Sequence, residues 1–329
     1  MSCEKVTLIG TSWEFHITNV CNLTCNNCNR FSNDPFKGFQ KWDDYKEDYK
    51  KWSEKVDLPY LSILGGEPLL NPTFMDWFKG LRELWPDSTI QIVTNGTRLD
   101  KIPGLYEEVL KYKEKTHINL NIHSHFVKDR CNEAIRNFLK GNLTTRHENE
   151  QLREIYDQVK GEDWPETFED VSDLPNWVIE EIKNNFNHNL PLEPTRYKDE
   201  NGVRIRIQYS IQFADNPLKR NKQNRLTLRN SDPHKAHDAC YGKRCHHFYK
   251  GRLHKCMLTA LMPEYDNQFN LDLSNSDRDL LHSAKSLSSD SSIDNIKEFY
   301  DFIESDNPIP QCKFCPEYFK YAPTEAKFK

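Results

Sequence analysis

Three cysteines spaced Cys21-x3-Cys25-x2-Cys28 follow a stretch that alternates like a strand, Trp13-Glu14-Phe15-His16-Ile17-Thr18. The turn-prone residues Asn19, Asn22 and Asn26 make the cysteine run a loop. Three thiolates at this spacing can hold a 4Fe–4S cluster and leave one iron without a protein ligand, open to a cofactor. Structural zinc normally takes four ligands, commonly as paired C-x2-C or with a spaced histidine pair. No histidine lies in this loop; His16 is on the preceding strand.

A second strand, Leu61-Ser62-Ile63-Leu64, runs into Gly65-Gly66-Glu67-Pro68. Glycines at a strand end permit close backbone approach, and Glu67 offers a carboxylate to a small polar ligand. The plainer alternative is a strand-to-helix turn, since Pro68 and Asn71-Pro72 also punctuate. A third strand, Ile90 to Thr94, closes on Asn95-Gly96. The cysteine loop, the GGEP turn and their order at strand ends resemble the radical S-adenosylmethionine (SAM) superfamily. The resemblance implies that Cys21, Cys25 and Cys28 hold a catalytic 4Fe–4S cluster. SAM would chelate its open iron through amino and carboxylate groups, beside Gly65, Gly66, Glu67 and Pro68. Glu67 would accept hydrogen bonds from the SAM ammonium. An electron from a reduced flavodoxin- or ferredoxin-type donor would then release a 5′-deoxyadenosyl radical. The family usually carries an aromatic residue just before the third cysteine; here it is Asn27, with Phe31 the nearby substitute.

The C-terminal third carries Cys240, Cys245, Cys256, Cys312 and Cys315. Phe248 to Leu253 reads as a hairpin with Gly251 at its turn, and Cys312-x2-Cys315 follows later. This pattern resembles the twitch or SPASM-type domain of radical SAM enzymes, which binds an auxiliary 4Fe–4S cluster. Too few cysteines remain after Cys256 for two clusters, which favours the shorter twitch form with one. Cys240 fits the family's C-x(9–15)-G-x4-C spacing, so Cys240, Cys256, Cys312 and Cys315 form the preferred set, with Cys245 the competitor. Zinc also accepts four thiolates in a hairpin-plus-knuckle arrangement. His246, His247 and His254 are further possible ligands, with plain exposure as the alternative. Cys3 and Cys131 read as inert thiols, although Cys131 could serve as a hydrogen-atom donor.

Strand, loop, helix, strand, turn, helix, strand is the order of parallel α/β units. Helices are expected over Tyr45–Val56 and from Pro72, the latter with Phe74, Trp77, Phe78, Leu81 and Leu84 on one core-facing stripe. Strands are expected over His117–Ser124 and Val203–Phe213. Each sets an apolar face against a polar one carrying Asn119, Asn121 and His123, or Arg204, Arg206, Gln208, Ser210 and Gln212. A closed barrel packs apolar residues inward. The open, partial (β/α)6 TIM-type barrel that the resemblance implies lines a polar cavity instead. Thr94, Asn95, Asn121, His123, Arg206, Gln208 and Ser210 are therefore candidate SAM or substrate contacts, the alternative being solvent-facing sheet positions. The expected organisation is a core barrel over 10–215, with an acidic helical insertion near 127–200, and a twitch-like hairpin-plus-helix domain over 216–329. Ser274–Ser292 reads as a loop with one short helix.

The chain has 329 residues and a net charge of −5. No apolar run is long enough to span a bilayer, and the N-terminus lacks a signal-peptide pattern. Clustered cysteines without such a signal point to metal ligation in a reducing cytoplasm. Asn216 to Lys255 holds eleven Lys and Arg against two acidic residues, and Glu148 to Ile182 holds twelve acidic residues against Arg153 and Lys160. The basic stretch could bind nucleic acid or a phosphorylated substrate, compensate a net-negative cluster, or contact the acidic stretch; thin aromatic interleaving disfavours nucleic acid.

The expected function is a radical SAM oxidoreductase acting on a small polar molecule such as a sugar or nucleotide derivative. The auxiliary cluster would be its electron acceptor or substrate anchor. Peptide modification and nucleic-acid modification are the alternatives; Cys3 to Trp13 is too short for a leader-binding domain. A non-catalytic metal or Fe–S binding protein is the reading from another class, and the intact GGEP turn counts against it.

Overall fold

The computed structural model describes residues 5–9, 12–146, 175, 177–178, 196–210, 212–318 and 320–329. The expected acidic insertion therefore lies outside the described residues from 147 to 195, apart from Pro175, Trp177 and Val178. Ten strands form one sheet: β1 (Ser12–His16), β2 (Tyr60–Leu64), β3 (Thr89–Thr94), β4 (Thr116–Ile122), β5 (Leu143–Arg146), β6 (Arg196–Asp199), β7 (Arg204–Tyr209), β8 (Cys245–Tyr249), β9 (Arg252–His254) and β10 (Ser286–Ser288). Their order is β10-β9-β8-β1-β2-β3-β4-β7-β6-β5. The six central strands, β8 to β7 in that order, run parallel. Antiparallel strands flank them on both edges. The sheet stays open, as a partial barrel rather than a closed one.

Helices α1 (Trp42–Ser53), α2 (Phe74–Leu84) and α3 (Leu105–Lys111) connect β1 to β4, and α4 (His125–Phe138) follows β4. Parallel neighbours require such crossovers. The period-2 alternation of the strands sorts the sheet into two faces. One is apolar: Trp13 and Phe15, Leu61 and Ile63, Ile90 and Ile92, Ile118 and Leu120, Ile205 and Ile207 are all buried. Tyr49 and Trp52 of α1 and the α2 stripe Phe74, Trp77, Phe78 and Leu81 belong to the same core. Each large side chain buried this way contributes about 1.5–3 kcal/mol.

The other face is polar. Ladder pairs set His247 beside Glu14, Glu14 beside Ser62, and Ser62 beside Gln91. Further along, Asn119 lies beside Arg206 and Asn121 beside Gln208.

Three elements differ from expectation. The edge strands β5 and β6 come from the region read as helical. Ser274–Ser292 contains α7 (Asn275–His282, with α5 Pro233–Asp238 and α6 Met257–Phe269 preceding it) and also β10. The hairpin β8–β9 forms where its turn signal placed it, but β8 pairs with β1 and extends the parallel sheet. The remaining helix, α8 (Ile293–Glu304), precedes the 3-10 turn Pro310–Phe314 that carries Cys312. A second core joins the segment after the cysteine loop to the C-terminal part. It includes Phe31, Phe36, Tyr249, Leu258, Leu261, Met262, Tyr265 and Phe314.

Candidate active site

The cysteine loop leaves the C-terminal end of β1 and is gripped at once by the GGEP turn. Gly66 N–H donates to the Thr18 carbonyl at 2.8 Å, and Glu67 N–H donates to the Val20 carbonyl at 2.8 Å. A Cβ on Gly65 would lie 2.4 Å from the Thr18 oxygen, and one on Gly66 2.5 Å from the Val20 oxygen. Both glycines are therefore set by the approach of one candidate motif to the other.

Within the loop, Leu23 N–H points at the Cys21 sulfur (3.4 Å), and Asn95 Nδ2 lies 3.7 Å from it. Burial, and then the charge of Glu67, pushes the Cys21 thiol up to about 12. Burial followed by the neighbouring Cys28 and Cys21 pushes Cys25 higher still. Three unbridged thiols within one eight-residue loop are a donor set of the kind an Fe–S cluster takes. The N–H groups aimed at sulfur are the kind of contact that tunes a cluster's potential. These residues fit an Fe–S cluster.

Glu67 is fully buried. Its Oε1 accepts from Thr94 Oγ1 (2.7 Å) and Leu69 N–H (3.1 Å), and its Oε2 accepts from Asn95 N–H (2.7 Å). Three of a carboxylate's roughly four acceptor positions are thus met by the chain itself. Burial pushes its pKa up to about 7, against the three donors. Asn95 Oδ1 accepts from Thr97 Oγ1 (2.7 Å), while its Nδ2 donates to Asn22 Oδ1 (2.9 Å). Asn22, read in the sequence only as turn-prone, and Thr97, which sequence reasoning passed over, tie the loop to the end of β3.

Farther along the polar face, His123 Nδ1 lies 3.3 Å from the Ser210 carbonyl, and burial lowers its pKa to about 4. Ser210 Oγ donates to Asn121 Oδ1 at 3.5 Å. Arg206 and Gln208 are exposed, and Gln208 lines the large cavity described below. Phe31, the expected aromatic substitute, packs on Tyr265 with no exposure. Asn27 Nδ2 instead reaches Asp215 at 3.5 Å. Cys131 is fully buried and donates to the Asn95 carbonyl at 3.2 Å, the position of a packing thiol rather than a hydrogen-atom donor.

The C-terminal cysteines separate into two groups. Cys240, Cys256, Cys312 and Cys315 line one small cavity of about 40 Å³, with Lys243 and Lys255 at its wall. Cys256 is the N-cap of α6, and the turn Pro310–Phe314 presents Cys312 and Cys315. Burial, then Cys256 and Cys240, pushes Cys312 up to about 11, and the same causes hold Cys315 well above the ordinary thiol value. Cys245, at the start of β8, is absent from that cavity and is raised to about 11 by burial and then by Glu14, with Arg30 opposing. Among the described residues no three His, Cys, Asp or Glu side chains converge on one metal ion. A cubane asks for a different arrangement, since each thiolate binds a separate iron. The hairpin histidines are not simply exposed. His246 is buried between the Lys255 carbonyl (2.6 Å) and Glu304 (2.7 Å), and His247 is buried 2.9 Å from Glu14.

A large cavity, about 520 Å³, opens beside the end of the N-terminal cysteine loop and against the C-terminal cysteines. Arg30, two residues past Cys28, lines it together with Glu14, and Cys240, Cys245, Cys256 and Cys315 line it as well. Arg30 and Glu14 form an ion pair at 2.7 Å. Burial acts to raise Glu14, but Arg30 and His247 more than reverse it and hold the carboxyl ionised. Asp215 in the same wall pairs with Arg229 at 3.0 Å. Glu14 and Arg30 went unnoticed in the sequence; the available signal was a carboxylate in the middle of an apolar strand.

Residues 15–169 match the family model of the Radical SAM superfamily. The matched stretch, just under half of the chain, is a radical SAM domain. No curated protein matches significantly. Among solved structures, SuiB of Streptococcus suis bound to S-adenosylmethionine is similar at 19% identity over 40% of this chain and 32% of its own, with a TM-score of 0.32. Native anSMEcpe with bound AdoMet and Cp18Cys peptide shares 19% identity over 39% of each chain, TM-score 0.30. BtrN in complex with AdoMet and 2-DOIA shares 18% identity over 62% of this chain and 71% of its own, TM-score 0.26. The chain thus spans about a third of SuiB and well under half of anSMEcpe. No helix among the described residues is long and apolar enough to cross a membrane.

Proposed function

We propose that this enzyme oxidises a small, uncharged polar molecule held in the cavity between Arg30 and the Cys240–Cys256–Cys315 wall. The observation that carries the reading is that one cavity is lined both by Asn29 and Arg30, which follow Cys28 directly in the chain, and by Cys240, Cys256 and Cys315. Cys21, Cys25 and Cys28 would hold the catalytic cluster. SAM would lie against Gly65, Gly66, Glu67 and Pro68, with Thr94, Asn95, Asn121, His123, Arg206, Gln208 and Ser210 available along the polar face. When bound, SAM and its cluster supply a 5′-deoxyadenosyl radical for hydrogen abstraction. Cys240, Cys256, Cys312 and Cys315 would hold the auxiliary cluster, which supplies an electron acceptor or anchor for the substrate. The chain's own contribution is to orient the substrate and exclude water.

The preference for an uncharged substrate comes from the cavity wall. The basic stretch from Asn216 to Lys255 places no Lys or Arg in that wall. Three of its cations pair away from the cavity, Arg225 with Asp272, Arg244 with Glu304 and Lys250 with Glu264, and Arg229 pairs with the wall residue Asp215. The fixed charges facing the cavity cancel in pairs, Glu14 with Arg30 and Asp215 with Arg229. Asn29, Asn216, Gln208 and Tyr241 add neutral hydrogen-bonding groups. A phosphorylated substrate would therefore be the poorer fit, contrary to what the basic run suggested. The nine described cysteines are all unbridged, which suits a reducing cytoplasm.

The test is anaerobic reconstitution with SAM and a reductant. Production of 5′-deoxyadenosine, with about eight irons per chain in the wild type and about four in Cys240→Ala but not in Cys245→Ala, supports the reading. No 5′-deoxyadenosine, or equal iron loss in the two variants, rejects it.

A further inference from the structure

The Cys21–Phe31 loop is not a conformation the chain would keep unaided. Asn27 and Phe31 both lie in the left-handed region, at φ 56° and 60°. L-residues avoid that region because Cβ crowds the following carbonyl oxygen, Asn less strongly than Phe. The loop's own backbone hydrogen bonds include Cys28 N–H to the Cys25 carbonyl at 3.3 Å and Phe31 N–H to the Cys28 carbonyl at 3.0 Å. Strained loops persist only when surrounding structure over-determines them. The GGEP turn holds the entry, at Thr18 and Val20. The exit is held by Asn216 Nδ2 on the Cys28 carbonyl (3.2 Å) and by the Arg30–Glu14 pair.

The middle is held by a segment beyond the last cysteine motif, Cys312-x2-Cys315. Lys327–Phe328 pairs antiparallel with Leu23–Thr24. Asn26 N–H donates to the Thr324 carbonyl at 2.7 Å, and Lys329 N–H donates to the Asn22 carbonyl at 3.0 Å. The segment is itself pinned at strand ends of the barrel. Tyr321–Pro323 pairs with Gln212–Ala214, just past β7. Ser124 Oγ donates to the Ala326 carbonyl at 2.6 Å, and the Thr324 hydroxyl donates to the His123 carbonyl, both just past β4. Thr324 and Ala326 are fully buried. Lys329 Nζ reaches the Ser32 carbonyl at 2.5 Å.

We propose that Tyr321–Lys329 is a strap that runs across the barrel's strand ends and sets the shape of the Cys21–Cys28 loop for cluster and SAM binding. The proposal rests on the catalytic-cluster reading of that loop. It makes the strap a positioning segment of the N-terminal site alone, dispensable for the cysteines of the small cavity.

Two variants test it: the chain ended after Lys320, and full-length Ala326→Glu, which forces a carboxylate into a fully buried position. Iron content and EPR of reconstituted protein, SAM affinity, and amide exchange over residues 21–31 in metal-free protein are read for each. Far-UV circular dichroism checks the fold. The control is a triple variant with Cys21, Cys25 and Cys28 changed to Ala. The expected result is that both variants lose the iron the control loses, about four of about eight, and keep the remaining signal. Exchange over 21–31 should rise at least about tenfold, the size expected when roughly 1.4 kcal/mol of local protection is lost. Unchanged iron with SAM affinity within about twofold in either variant overturns the proposal, as does tighter SAM binding without the strap. Loss of both iron sets in Ala326→Glu also overturns it, because the strap would then support the whole fold. If the triple control loses no iron, the catalytic-cluster reading fails instead, and exchange in the metal-free variants still decides whether the strap shapes the loop.

Discussion

Gly66 has no room for a methyl group: the added carbon would meet the Val20 oxygen at 2.5 Å and Ser32 Oγ at 2.7 Å. Gly66→Ala should destabilise the chain by about 1–3 kcal/mol through overpacking. Because the displaced atoms belong to the cysteine loop, iron at the N-terminal site should fall more than iron at the C-terminal one, measurable by EPR beside a urea melt. Glu67 makes a prediction of opposite character, about pH. Its carboxyl is raised from 4.5 to about 7 by burial. Between those values the folded chain holds a proton that the unfolded chain has released. Stability from this group is therefore highest below pH 4.5, falls by about 3 kcal/mol as pH rises to 7, and is level above that. Urea midpoints of metal-free protein at pH 5 and pH 8 should show a steeper decline in wild type than in Glu67→Gln; equal slopes would refute it. The four residues of this turn could be read directly from the sequence. Their partners could not, because Thr18, Val20, Thr94 and Asn95 reach Glu67 and its glycines only through the parallel ladder.

At the scale of elements, alternation was enough to assign the parallel strands, since a buried face and a polar face leave a period of two. The glycine signal located the β8–β9 turn, where Gly251 adopts φ 71°. Alternation says nothing about which strand a hairpin will pair with. That choice follows from packing: Phe248 stacks on Phe15 at 4.8 Å and meets Trp52 at 5.4 Å, while Trp52 Nε1 donates to the Gly251 carbonyl at 2.9 Å. Phe248 is thus the rivet between the hairpin and the first barrel strand. Phe248→Ala should cost about 3–5 kcal/mol. It should also loosen β8, which carries Cys245 and His247, and the turn leading to Cys256. Guanidinium denaturation and C-terminal cluster iron would check both effects. A variant with wild-type stability would show that β8 is held by its backbone ladder alone.

For the whole molecule, the two cysteine groups sit at opposite ends of the sequence but on one continuous framework. The motifs divide near residue 215, whereas the sheet crosses that point: β8, from the C-terminal third, pairs with β1. The second core crosses it too, joining Phe31 and Phe36 to Leu261, Met262, Tyr265 and Phe314. The tail crosses it a third time, from Tyr321 back to Leu23. None of these crossings has a local sequence signature, because each is a contact between segments hundreds of residues apart whose local patterns are already satisfied. They have a thermodynamic consequence. A fragment of residues 216–329 would expose the β8 edge and lose Phe31 and Phe36 from its core, and an edge left unpaired beside a partial core does not hold a small unit together. The metal-free chain should therefore unfold in a single denaturant transition, with tryptophan fluorescence and circular dichroism coinciding. The isolated 216–329 fragment should show no cooperative transition. Two separated transitions, or a fragment that melts cooperatively, would mean that the C-terminal unit folds alone and merely docks, and the cavity shared by Arg30 and Cys240 would then be an interface that can open.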